Sequence, residues 1–155
     1  MIILTLPYPV SANVYWRSFV PPGGKRAITH VSKEALAYKR EVLQACMAAG
    51  ITQPLTGRVA IAIRLFPARP QDWARRARKL GACWDDDVRC IDLDNANKVL
   101  LDALKGNAIE DDRWVRRLQA ERMEPDEHGA RVIVAIEQLA LPVVQGDLLA
   151  AAESY

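Results

Sequence analysis

Ile91-Asp92-Leu93-Asp94-Asn95-Ala96-Asn97-Lys98-Val99-Leu100-Leu101-Asp102-Ala103-Leu104 is the stretch on which the fold turns. Ala96, Val99, Leu100, Ala103 and Leu104 recur at the spacing of one helix face, so a helix over 94–105 with a single buried side is expected. The other side carries Asp94, Lys98 and Asp102, four residues apart in a column, with Asn95 beside them. Asp92 stands just before the helix, where its carboxylate can swing across that column. Asp111 and Asp112 follow after Lys105-Gly106-Asn107, and a return of the chain toward the sheet would bring one of them back near Asp92.

Two readings of these acids are open. Aspartates cap helices, favour the positive end of the helix dipole and form i, i+4 pairs with lysine, which is a purely structural role. Alternatively, neighbouring carboxylates repel one another unless a cation lies between them, and three of them are about what Mg²⁺ or Mn²⁺ requires when water and phosphate oxygens complete the shell. In that case Lys98 is placed to neutralise charge on a phosphate. Whether one ion or two are held is open.

Outward from the acidic helix, residues 58–66 alternate, with Val59, Ile61, Ile63 and Leu65 on one face, and predict a half-buried strand. Ser32 caps an expected helix whose apolar positions run from Ala35 to Met47, with Gly50 ending it. Residues 2–6 read as a short strand, and the segment that follows, with Pro7, Pro9, Pro21, Pro22, Gly23 and Gly24, reads as a loop. Residues 67–91 form an excursion with a short basic helix around Trp73 to Leu80 and the acidic run Asp85, Asp86, Asp87. Residues 114–123 and 131–137 are expected to pair as a hairpin. The order predicts an α+β fold, a small mixed β-sheet with helices packed on one side, with strand order left open. One domain is expected over 1–138, and 139–155 is a tail that forms a marginal helix or a frayed end.

The bulk numbers set the class. The chain has 155 residues, half of them apolar, which is enough for a core without disulfides. Cys46, Cys83 and Cys90 share no C-x-x-C spacing and stand beside no histidine, which argues against a zinc site and suits a reducing cytoplasm. No secretory leader and no membrane span are expected. Net charge is only +2, but basic groups surround the acidic centre: Arg17, Lys25 and Arg26 early, Arg75, Arg76, Arg78 and Lys79 in the excursion, and Arg113, Arg116 and Arg117 after the second acidic pair. That distribution suits a polyanion approaching a metal. A solvated helix face is the competing reading for the excursion's basic residues, and core or partner packing competes with base stacking for Tyr15, Trp16 and Phe19. His30 and His128 read as structural or surface groups.

Asp92-Leu93-Asp94-Asn95, then Lys98, Asp102-Ala103-Leu104 and Asp111-Asp112 resemble the signature of the RusA family of Holliday junction resolvases. Leu6-Pro7-Tyr8-Pro9, Asn13, Tyr15, Thr29-His30-Val31-Ser32 and Ala37-Tyr38 are similar to that family's N-terminal half. The resemblance runs to about residue 138. It implies a homodimeric, magnesium-dependent endonuclease that cuts four-way DNA junctions by paired nicks, often encoded by phages and prophages. By position, it implies Asp92, Asp94 and Asp112 as metal ligands, with Asp111 the weaker of its pair, and Lys98 as the catalytic lysine. Asn13, Tyr15, Arg17, Arg75, Arg76, Arg78 and Lys79 are the expected DNA contacts. Residues 67–91 are longer than the compact form of the family needs, and the tail is extra. The competing functions are a non-catalytic binder of DNA structures, in which the acids serve folding or assembly, and a broader nuclease acting on flaps or RNA.

Overall fold

The computed structural model describes residues 1–142. In chain order it has β1 (Ile2–Pro7), α1 (Ala12–Tyr15), β2 (Trp16–Phe19), β3 (Ile28–Val31), α2 (Lys33–Ala48), β4 (Val59–Phe66), α3 (Trp73–Leu80), α4 (Leu93–Leu104), β5 (Val115–Arg122) and β6 (Arg131–Gln138). The expected tail element lies outside the described residues from 143 onward.

Four strands form a mixed sheet in the order β1-β6-β4-β5. Its inward positions are the ones alternation selects: Val59, Ile61, Ile63 and Leu65 of β4 with Leu4 and Leu6 of β1 and Val132, Val134 and Ile136 of β6, all at most 2% exposed. Against them pack Ala35, Tyr38, Val42 and Cys46 of α2 and Ala96, Val99, Leu100, Ala103 and Leu104 of α4, in one continuous core. The alternate sheet positions Ile3, Thr5 and Arg64 are exposed, so α2 and α4 cover one side. The Ser32 hydroxyl accepts the Ala35 N–H at 3.1 Å and sets where α2 begins, a cap of about 1 kcal/mol.

The expected hairpin of residues 114–123 with 131–137 does not form. β5 runs parallel to β4, while β6 lies antiparallel to β4 on its other side and is paired in turn with β1. The division follows polarity. Val-Arg-Arg-Leu-Gln-Ala-Glu-Arg of β5 is mostly exposed and suits an edge, whereas the alternating β6 buries three aliphatic side chains and suits the interior. A parallel β4/β5 pair needs a crossover, and α4 supplies it.

A second correction concerns the early segment, read from its prolines and glycines as loop throughout. It holds α1 and a separate two-stranded ribbon in which Trp16 pairs Val31, Arg17 pairs His30 and Phe19 pairs Ile28. Pro21 to Gly24 belong to the turn at the ribbon's end, with Gly23 at φ 77°. Four-residue strands that bury almost nothing leave no alternation to read.

Candidate active site

Asp92 occupies the N-cap position of α4 in extended backbone (φ −63°, ψ 142°), yet its side chain caps nothing. The turn is held by the main chain instead, Ala96 N–H donating to the Asp92 carbonyl at 2.9 Å. Just upstream, the Ile91 N–H donates to the Tyr8 hydroxyl at 2.7 Å, which in turn donates to Cys90 Sγ at 3.6 Å. Burial pushes the Tyr8 phenol up to about 12, so it stays a neutral fixing group. Asp92 thus sits on an anchored backbone with neither carboxylate oxygen engaged by any of the described residues. Asp94 follows in the first turn, also exposed. Neither has an ion-pair partner among the described residues. The helix dipole favours negative charge at this end by a few tenths of a kcal/mol up to about 1 kcal/mol.

Asp92 and Asn95 line a cleft of about 850 Å³, the larger of two described. Tyr8 and Ser11 line it too, together with Arg76 of α3, Asp87 and Arg89, which the excursion supplies. The excursion is therefore part of the site's enclosure. Arg89 carried no signal in the sequence, being a single basic residue after an acidic run.

Asp102 and Asp111 are engaged by cations and hydrogen-bond donors of the fold, and Asp112 only distantly. Asp102 accepts the Tyr15 hydroxyl and pairs with Lys39 Nζ at 3.0 Å, so its partners lie on α1 and α2 and not at Lys98. Asp111 uses one oxygen to accept the Arg113 N–H at 3.0 Å, and the other lies 3.2 Å from Lys105 Nζ. The Arg113 N–H and the Lys105 ammonium hold the Asp111 carboxyl well below its usual range, at about 2. Lys105 is raised by the same contacts. Asp112 is exposed and 3.7 Å from Lys105. As these side chains stand, no three Asp, Glu, His or Cys among the described residues converge on a cation. Lys98 is exposed and has no carboxylate within 4.0 Å among those residues.

The expected DNA contacts divide. Tyr15 is a correction: it is 0% exposed, packs edge-on against Trp16 with ring centroids 4.5 Å apart, and its hydroxyl is taken by Asp102. A ring so enclosed offers no face to a base. Asn13 and Arg17 are exposed beside it. In α3, Arg75, Arg78 and Lys79 are exposed, and Arg76, half-buried, reaches the cleft. The arginines Arg75 and Arg76 pair with Asp72 and not with the run Asp85 to Asp87.

An exposed carboxylate on an anchored helix start, in a cleft that two arginines also line, suits a protein that acts on a polyanion. The chain belongs to the endodeoxyribonuclease RusA family, which it matches over residues 7–137. That family places it among the Holliday junction resolving endonucleases, hydrolases of DNA recombination. No curated protein matches the chain. Among the described residues no helix is long and apolar enough to cross a membrane.

Proposed function

We propose that this chain is a divalent-metal-dependent endonuclease that resolves four-way DNA junctions by paired symmetric nicks, working as a homodimer. The observation that carries the reading is Asp92, a carboxylate without a partner among the described residues, at the start of α4 in a cleft that Arg76 and Arg89 also line, in a chain of the RusA family.

The donor set fits a hard cation by its chemistry: Asp92 and Asp94 offer oxygens with no competing partner among the described residues, and Asp112 is exposed and only distantly held by Lys105. Asp92, Asp94 and Asp112 would hold Mg²⁺, or Mn²⁺, once Asp112 turns from Lys105. Asp111, with both oxygens engaged, is the structural member of its pair. When bound, the ion supplies charge neutralisation at the scissile phosphate and lowers the pKa of water. Lys98, one turn beyond Asp94 and unpaired, puts an ammonium beside the charge that develops on the phosphate or its leaving oxygen. Asn95 presents an amide to the strand in the cleft. A four-way junction has two equivalent strands, and a two-fold pair of subunits offers two equivalent sites to them. The three free thiols suit the cytoplasm.

The test incubates the protein with a labelled four-way junction, a flap and a plain duplex, with Mg²⁺ and with chelator. Symmetric nicks in the junction alone, abolished by chelator, are expected. Junction binding without cleavage under any metal would make the chain a DNA-structure binder, and equal cutting of flaps a broader nuclease.

A further inference from the structure

We infer that Arg76, held in place by Asp72, is a phosphate-binding residue of the cleft, and that the 67–91 excursion is a fixed wall that selects how a DNA strand enters it. This deepens the proposed function and rests on it.

The excursion is tied down at several points. Trp84 is 4% exposed and donates through Nε1 to Glu124 at 2.6 Å. Arg122 Nη2 donates to the carbonyls of Asp85 and Val88 at 2.9 and 2.8 Å, clamping the excursion to β5. Trp73 packs against Trp84 with centroids 6.4 Å apart, and the Arg69 guanidinium lies 4.3 Å from the Trp73 ring. A segment anchored by buried aromatic surface and two bonds to main-chain oxygens is a wall and not a loose loop.

On that wall, Asp72 precedes α3 but does not cap it with its side chain. Its two oxygens go instead to Arg75 Nη2 and Arg76 Nε, both at 2.9 Å. Arg76 is gripped at Nε, which fixes the plane of its guanidinium and leaves its terminal amino groups as donors. Of the basic residues of α3, Arg76 is the one that lines the cleft, which Asp92 also lines. Arg75 has 77% of its side chain exposed, outside the cleft. A guanidinium held at Nε by one carboxylate, in a cleft that Asp92 also lines, is pre-organised for a phosphodiester oxygen.

The experiment measures junction affinity in chelator across a salt series for the wild type, Arg76→Gln, Arg75→Gln and Asp72→Asn. Arg76→Gln should weaken binding about tenfold and flatten the log K against log salt slope by about 1, as loss of one phosphate contact does. Arg75→Gln should lose less on both measures. Asp72→Asn removes a negative charge, so charge alone predicts tighter binding; a positioning role predicts weaker binding with the slope kept. Trp73 and Trp84 fluorescence checks that the wall is intact in each variant. An Arg76→Gln protein with the wild-type slope, an Arg75→Gln loss as large, or tighter binding by Asp72→Asn overturns the inference while a cutting wild type leaves the proposed function standing. A wild type that neither binds nor cuts a junction removes both.

Discussion

At its N-terminal end, α4 carries Asp92 and Asp94 exposed, unengaged and facing or flanking a cleft; toward its C-terminal end, Asp102, Asp111 and Asp112 are held by Tyr15, Lys39 and Lys105. The residue type is the same in all five. What differs is the company each keeps: a carboxylate with a lysine at 3.0 Å, as Asp102 has, contributes to the fold, one without remains available to a ligand, and Asp112, 3.7 Å from Lys105, stands between the two. Charge left uncompensated on an anchored backbone is where chemistry is to be sought.

The largest effect expected from this contrast is on cleavage. Asp92→Asn should reduce junction cutting at least about a thousandfold, with binding kept or tightened because a negative charge leaves the phosphate's path. Gel-shift and nicking assays on the same preparation would check it, and loss of binding together with cutting would mean that Asp92 serves the structure. Lys98→Gln should follow with a loss of about a hundredfold or more in the cutting rate and an unchanged melting temperature, since no ion pair of the described fold depends on this ammonium. A drop in stability as large as the drop in rate would place Lys98 with the neutralised group.

At the other end of the helix the readout moves to stability. Tyr15→Phe removes the hydroxyl that Asp102 accepts but leaves Lys39 in place, so a loss of about 1–2 kcal/mol in denaturant unfolding is expected, with the cutting rate per folded molecule little changed. The smallest effect is a titration. Asp111, with its carboxyl at about 2, keeps its charge in the folded protein to lower pH than in the unfolded chain. Its contribution is therefore fully present above the unfolded value near 4 and is lost as pH falls toward about 2. Lys105→Gln should raise the Asp111 midpoint only part of the way in a carboxyl NMR titration, because the Arg113 N–H remains as the first cause. A midpoint that returned all the way to the ordinary value would put the lysine ahead of the backbone.

Much of the scaffold was legible because it is written in local periodicity. The five apolar positions of α4 are the five that the structure buries, and the alternation of β4 and the Ser32 cap of α2 mark their elements at nearly the right residues. The ribbon of β2 and β3 was not legible, since its strands are short and exposed and their prolines and glycines argue for loop. The pairing of β5 was also misassigned. Nearness in sequence favours a hairpin, whereas the polar β5 is stable at an edge and the apolar β6 between β1 and β4.

The site divides along the same line. Sequence by itself determined that Asp92 and Asp94 open an amphipathic helix and that basic residues accompany them, because helix phase and charge order are properties of neighbours along the chain. Only the tertiary structure decided that Asp102 belongs to Tyr15, 87 residues away, that Tyr15 is buried, and that Arg76 and Asp92 line one cleft. Those pairings depend on which elements the core brings together. The reason is that burial and ion pairing act through space, over distances that no local pattern encodes.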